Sequence, residues 1–250
     1  MKKIFVLSML CMLTSVSFAQ SNLKEILKNF NKPAKDNVMV VSHRGDWRNA
    51  PENSVQAFQN CIDMGVDMVE LDLKKTKDGV LVLMELCKGK IMVNVDKGYD
   101  YFDDAMKVLK ETGTVDQCII KAELPYEVVK AEHGDVLDKM IFMPVVNLGK
   151  PGAEEVIDGY IKNMKPKAYE LVFKTDDANT RRLIKKVRDS GARVFINTLW
   201  PELCGGHDDD RAVELKEPEE SWGWIVGQGA KLIQTDRPAS LLEYLRAHQL

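Results

Sequence analysis

The chain has 250 residues, a formal net charge of −3 and 29% charged residues. Hydrophobic residues make up 45% of it, enough to bury one large core, which excludes an intrinsically disordered chain. A weakly acidic balance also argues against a protein that binds nucleic-acid phosphate, since that requires a basic face.

Residues 1–19 have the pattern of a secretory signal peptide. Two lysines precede an apolar run over Ile4–Leu13, and residues 17–19 read small-x-small. The run is too short to serve as a stable membrane anchor. We therefore expect a cleaved signal peptide over 1–19 and one exported domain, periplasmic or secreted, over 20–250.

Short apolar runs then alternate with segments of helical period. A lead-in helix is predicted over residues 21–32. The eight runs are Val38–Ser42, Met68–Leu73, Ile91–Asp96, Cys118–Lys121, Met140–Val146, Ala168–Phe173, Arg193–Leu199 and Lys231–Thr235. The helical segments are Ser54–Met64, Tyr101–Thr112, Tyr126–His133, Ala153–Met164, Ala178–Ser190 and Ala239–Ala247. This alternation predicts a parallel sheet, and eight strands favour a closed TIM (β/α)8 barrel over an open doubly wound sheet.

The connection between the second and third strands is unusually short. It contains a turn over Thr76–Gly79 and a strand-like run over Val80–Met84, so residues 85–90 leave room for about 1.5 helical turns. The second helix of the barrel is therefore expected to be missing or vestigial. Its loss is expected to expose the apolar outer faces of strands two and three, a surface through which a homo-oligomer could form.

The first strand ends in a pair of residues suited to phosphate chemistry. His43 can act as a base or a nucleophile near neutral pH, and Arg44 offers a forked donor for two phosphate oxygens. Functional groups of parallel barrels collect at such strand ends. We therefore predict that both residues are catalytic.

Strands two and three carry carboxylates that point into the barrel. Glu70 and Asp72 are two residues apart and share a face, and Asp96 lies at the end of the next strand. Carboxylates this close repel one another unless a cation neutralises them, and their hard oxygens favour Ca2+ or Mg2+. Ion pairing with arginine or lysine is the alternative. We predict a metal site at Glu70, Asp72 and Asp96.

Five further polar residues are predicted to contact substrate. Three point inward from strands three, four and six, and two lie in loops at the same end: Asn94, Lys121, Glu170, Glu52 and His207. Beside Glu52, Asn53 is expected to cap the first helix of the barrel. His207 precedes three aspartates, so its loop could bind a metal, close over the substrate, or be an exposed acidic turn.

Several short motifs together resemble the glycerophosphodiester phosphodiesterase family. They are Ser42-His43-Arg44-Gly45, Pro51-Glu52-Asn53-Ser54, Gly65-Val66-Asp67, Glu70-Leu71-Asp72, Thr76-Lys77-Asp78-Gly79 and Thr235-Asp236-Arg237-Pro238. The resemblance implies a TIM barrel that hydrolyses small glycerophosphodiesters to glycerol 3-phosphate and an alcohol. It also implies that Glu70 and Asp72 bind the metal, that His43 is catalytic and that Arg44 holds the phosphate.

The sequence departs from the family after Met84. Family members continue with a His-Asp pair, an inserted subdomain and the second barrel helix, whereas Glu85 follows here and strand three begins almost at once. The family's Glu-x-Lys pattern on strand three falls on Asn94 and Asp96. A metal-dependent hydrolase is therefore expected, with slow catalysis by His43 alone unless His207 or Glu85 takes the place of the second histidine. The alternatives are a non-catalytic barrel that binds a phosphodiester or sugar phosphate, and an interaction scaffold.

Overall fold

The computed structural model describes residues 23–32, 37–73 and 85–250. Eight parallel strands follow one another around a closed barrel, which confirms the predicted TIM-barrel fold. They are β1 (Met39–Ser42), β2 (Met68–Asp72), β3 (Met92–Asp96), β4 (Cys118–Ala122), β5 (Ile141–Asn147), β6 (Ala168–Val172), β7 (Arg193–Asn197) and β8 (Ala230–Thr235). The predicted signal peptide lies outside the described residues.

Helices surround the barrel. They are α1 (23–31), α2 (Val55–Met64), α3 (Phe102–Thr112), α4 (Tyr126–Leu137), α5 (Ala153–Asn163), α6 (Ala178–Asp189), α7 (Pro201–Cys204), α8 (Asp209–Val213), α9 (Trp224–Gly227) and α10 (Pro238–Ala247). A 3-10 turn over Val115–Gln117 precedes β4, and a π-helix over Glu219–Gly223 precedes α9. Within the described ranges, no helix is long and apolar enough to cross a membrane.

Helix α1 closes the amino-terminal end of the barrel. Ile26 and Phe30 are buried in the apolar cluster formed by the first inward residues of the strands, such as Met39 and Met68. The buried Arg193 of β7 fixes the end of this helix, because its Nε donates to the carbonyl oxygen of Phe30 over 3.1 Å. The carboxyl-terminal end of the barrel is left for polar groups.

The short β2–β3 connection packs against the barrel. Gln117 Nε2 donates to the carbonyl oxygens of Cys87 and Ile91, both over 2.8 Å, and Gln117 Oε1 accepts from the amide of Gly89 over 3.1 Å. Residues 85–90 form turns. The turn Thr76–Gly79 and the run Val80–Met84 lie outside the described residues, so the missing helix stays a prediction.

The expected exposure of β2 and β3 is wrong. Their outward side chains, among them Leu71, Leu73, Val93 and Val95, are buried in the main hydrophobic cluster. Cys87 and Ile91 of the short connection belong to the same cluster, together with residues of α2 and α3. These residues cover the outer faces of β2 and β3. A homo-oligomer stays a prediction, but it no longer has this surface as its basis.

Replacing Gln117 with alanine should loosen the short connection. The variant leaves two buried carbonyl oxygens and one amide without their partner, and we expect the free energy of unfolding to fall by about 2–4 kcal/mol. Urea unfolding measures the difference. Asp116→Ala, a change at the neighbouring exposed position, is the control, and an equal effect of both substitutions would contradict the role of Gln117.

Candidate functional site

Polar side chains from neighbouring strands meet at the carboxyl-terminal end of the barrel. The pairing register accounts for this grouping, because Asp72 of β2 lies opposite Asp96 of β3 and Glu70 lies opposite Asn94. Alternate residues of a strand share a face, so all four side chains enter the barrel side by side.

The carboxylates of Glu70, Asp72 and Asp96 form one acidic cluster. Each offers an oxygen atom, and these atoms all lie within 4.8 Å of one another. Burial raises the pKa of Glu70 to about 7; the nearby His43 and Lys121 oppose this shift, and the other two carboxylates add to it. Oxygen donors at such spacing suit a hard divalent cation such as Ca2+ or Mg2+.

Asn94 supports the fit of a cation at this cluster. Its Nδ2 donates to Gln234 Oε1 over 3.2 Å, whereas its buried Oδ1 has no hydrogen-bond partner within the described part of the chain. A buried amide oxygen is rarely left unpaired. A cation held by Glu70 and its neighbours would offer that oxygen a partner, so the residues present fit the group that the resemblance implies.

Lys121 and Glu170 form an ion pair at the edge of the cluster. Lys121 Nζ lies 2.8 Å from Glu170 Oε2 and 3.2 Å from Asp96 Oδ1, and its side chain is largely buried. Burial lowers the pKa of Lys121, but the two carboxylates outweigh it and the net direction is upward. Lys121 therefore stays charged, and its predicted contact with substrate stays a prediction.

Arg44 joins the acidic cluster to the surface loop. Its backbone has a φ of 54°, the left-handed region, which turns its amide towards Glu70 Oε2 at 3.0 Å. Its Nη1 donates to Glu52 Oε2 over 2.8 Å, and its Nε lies 2.8 Å from Asp72 Oδ2, an ion pair with poor hydrogen-bond geometry. The guanidinium is thus held from two sides.

His43 is held by an aspartate from the other end of the chain. Its Nδ1 lies 2.8 Å from Asp236 Oδ1, and Trp47 Nε1 donates to the same oxygen over 2.5 Å. Because a carboxylate can only accept, the proton of the neutral imidazole is on Nδ1 and its Nε2 can accept a proton. Trp200 packs edge-on against the imidazole, with 6.0 Å between ring centres.

A cavity of about 310 Å³ lies over His43. Its lining residues are His43, Arg44, Trp47, Arg48, Glu52, Leu199, Trp200, Asp209, Asp210 and Asp236. A larger cavity, of about 670 Å³, lies at the opposite end of the barrel beside α1 and contains none of the clustered groups. The chemistry of the residues therefore assigns the site to the smaller cavity.

The loop after β1 corrects the expected helix cap. Ser54 caps α2, because its hydroxyl accepts from the amide of Ala57, whereas Asn53 adopts a φ of 54° and its Oδ1 accepts from the amide of Asp72 over 3.1 Å. Asn53 thus ties the loop to β2 and places the neighbouring Glu52 at the cavity.

His207 does not join the site. Its Nδ1 lies 2.5 Å from the carbonyl oxygen of Glu220, its Nε2 faces Asp176 at 3.5 Å, and its ring stacks on Trp224 with 3.8 Å between centres. These contacts hold it against the π-helix, α9 and the loop that follows β6. The prediction that His207 contacts substrate or replaces the missing histidine is therefore not supported by the geometry.

Sequence reasoning missed Trp47 and Asp209. Trp47 lies in the loop that follows His43, and nothing in its spacing marks it as a partner of Asp236. Asp209 belongs to the acidic run after His207, for which the sequence indicates a metal site, a loop that closes over the substrate or an exposed turn, yet it is buried. The position of that run directly after β7, at the carboxyl-terminal end of the barrel, is the one sequence feature that points to Asp209.

Two family models match separate parts of the chain. Residues 43–85 match the glycerophosphoryl diester phosphodiesterase family, and residues 142–245 match a domain of unknown function. The resemblance to the glycerophosphodiester phosphodiesterase family is confirmed. The first match contains His43, Arg44, Glu52, Glu70 and Asp72, whereas Asp96 falls between the two.

Curated relatives agree with this family, and solved structures share its fold. A glycerophosphodiester phosphodiesterase of Caldanaerobacter subterraneus is 48% identical over 46 residues, which is 18% of this chain and 19% of that one. The match thus spans about a fifth of that relative. Structures share the fold: a glycerophosphodiester phosphodiesterase of Thermotoga maritima (TM-score 0.57, 17% identity, 84% and 99% coverage) and a phosphodiesterase of Oleispira antarctica in complex with its product sn-glycerol-3-phosphate (TM-score 0.57, 12% identity, 83% and 96% coverage).

Binding of Ca2+ or Mg2+ at the acidic cluster should stabilise the protein. We expect the Tm of EDTA-treated protein to rise on addition of either ion, because only the folded state assembles the ligands. Glu70→Gln should abolish most of the rise, and Glu202→Gln, at an exposed position of α7, should leave it unchanged. Differential scanning calorimetry gives the comparison; an equal rise in the two variants would place the ion elsewhere.

Proposed function

We propose that this chain hydrolyses small glycerophosphodiesters to glycerol 3-phosphate and an alcohol, with Ca2+ or Mg2+ as cofactor. The observation that carries the proposal is the placement of His43, held by Asp236, at a cavity that also holds Arg44 beside the acidic cluster. The resemblance over residues 43–85 supports it. The predicted signal peptide suggests in addition that the protein acts outside the cytoplasm.

The charge balance of the site supports a divalent cation. Among the described residues, the ion-pair network around the acidic cluster contains five carboxylates and three cations: those of Glu52, Glu70, Asp72, Asp96 and Glu170 against Arg44, Lys97 and Lys121. An anionic phosphodiester would be repelled by this excess of negative charge. When bound, the cation would neutralise the cluster and polarise a phosphoryl oxygen.

Arg44 is suited to orient the phosphate. Its contacts with Glu52 and Asp72 fix the plane of the guanidinium, and its side chain lines the cavity. A planar donor fork pairs with two phosphate oxygens at once, so its direction fixes the direction of the phosphodiester. Interactions of this kind also stabilise charge that develops on the phosphoryl oxygens during hydrolysis.

His43 is suited to move one proton. Its Nε2 takes a proton from the attacking water as the new oxygen–phosphorus bond forms; the bond from phosphorus to the alcohol oxygen breaks, and the leaving alkoxide must gain a proton in turn. The described part of the cavity offers no second histidine for that step, since His207 is held elsewhere and Glu85 is an exposed turn residue. Each assisted proton transfer contributes about 10²–10⁴-fold, so we propose slow hydrolysis.

A coupled assay for glycerol 3-phosphate tests the proposal. Purified protein is incubated with glycerophosphocholine or glycerophosphoethanolamine in Ca2+, in Mg2+ and in EDTA. We expect slow release that requires a divalent cation, with a loss of at least about 100-fold in His43→Ala, which lacks the base.

His248→Ala is the matched control, since His248 lies beyond the end of α10 and contacts Tyr244 and Glu219. It should retain full activity. If folded protein with bound cation releases no product, the hydrolase is excluded. Calorimetric titration with glycerol 3-phosphate then distinguishes a binding barrel, which gives heat, from a scaffold, which gives none.

A further inference from the structure

Asp209 is a buried carboxylate that the proposed reaction does not use directly. It is the first residue of α8, and Asp208 before it caps the helix by accepting from the amides of Asp210 and Arg211. Only 2% of Asp209 is exposed. Helix capping therefore explains Asp208 but does not explain Asp209.

Four donors converge on the carboxylate of Asp209. Its Oδ1 accepts from Thr198 Oγ1 over 2.7 Å and from Trp222 Nε1 over 3.0 Å, and its Oδ2 accepts from Thr235 Oγ1 over 2.9 Å and from the amide of Asp236 over 2.7 Å. A carboxylate has about four acceptor positions, so each of them is used.

The last of these bonds reaches the candidate site. It fixes the backbone of Asp236, whose own carboxylate accepts from Trp47 and holds His43. We infer that Asp209 is a positioning residue, which sets Asp236 so that His43 keeps its proton on Nδ1 and presents Nε2 to the cavity. The predicted effect of Asp209 on the rate rests on the proposed function, whereas its effect on the positions of Asp236 and His43 does not.

The two threonines do not by themselves account for an ionisable group here. Thr198 Oγ1 also lies within hydrogen-bond distance of the carbonyl oxygen of Gln234, and Thr235 Oγ1 accepts from the amide of Arg237. The two threonines therefore have further partners. Burial raises the pKa of Asp209 to about 6, and the hydrogen bonds from Thr198, Trp222, Thr235 and the Asp236 amide oppose this shift. The hydrogen bond from the Asp236 amide connects this buried carboxylate to His43.

The test compares Asp209→Ala with Asp208→Ala, the same change at the neighbouring buried position. Nitrogen-15 and proton NMR of histidine-labelled protein detects the Nδ1 proton of His43 when it is hydrogen-bonded and protected from exchange, and His43→Ala assigns the signal. We expect this signal in the wild type and in Asp208→Ala. It should be lost in Asp209→Ala while circular dichroism shows that the variant is folded.

The rate gives a second readout. If the wild type hydrolyses glycerophosphodiesters, kcat should fall by about 10- to 100-fold in Asp209→Ala with little change in KM, because the base is misplaced and the phosphate contacts remain. Asp208→Ala should keep its kcat. A folded Asp209→Ala that retains the Nδ1 signal overturns the inference, whether or not the wild type is active.

If Asp209→Ala does not fold, hydrogen exchange of the wild-type protein tests the inference. The Asp236 amide should then be strongly protected from hydrogen exchange, because Asp209 accepts from it in the interior. Exchange of that amide at the rate of an exposed loop would overturn the inference, and slow exchange together with the Nδ1 signal of His43 would support it.

Discussion

The register between β2 and β3 is the constraint on which the site depends. It sets Asp72 opposite Asp96 and Glu70 opposite Asn94, so that three carboxylates and an amide point into one end of a closed barrel. A shift of one residue would turn these groups towards the surrounding helices and bring valines and leucines inside. The neighbouring cations follow from this placement, since Arg44 and Lys121 lie where they offset the concentrated negative charge.

The barrel thereby has two dissimilar ends. At the amino-terminal end, methionine, valine and phenylalanine side chains fill the interior and α1 covers them. At the other end the interior is occupied by ion pairs and hydrogen-bonded polar groups. The apolar end supplies stability by excluding water, and the polar end retains charges that a barrel of this size holds only when they are paired or bind a ligand.

Much of this arrangement could be predicted from the sequence. Strand alternation indicated the barrel, and the two-residue spacing of Glu70 and Asp72 placed them on one face. Long-range contacts could not be predicted in this way. Whether Asn53 or Ser54 caps α2 depends on Asp72, and whether His207 faces the site or Trp224 depends on the packing of α9. Gln117 covers a connection far away in sequence, and no local pattern marks such a partner.

Contacts between residues far apart in the sequence also limit the order in which the barrel folds. The bond between Arg193 and Phe30 joins residues 163 positions apart, and the one between His43 and Asp236 joins residues 193 positions apart. Closing loops of such length lowers chain entropy before any contact offsets it, which slows folding. Both ends of the barrel therefore become complete only after nearly the whole polypeptide is present, and neither can form on a growing chain that stops before β7.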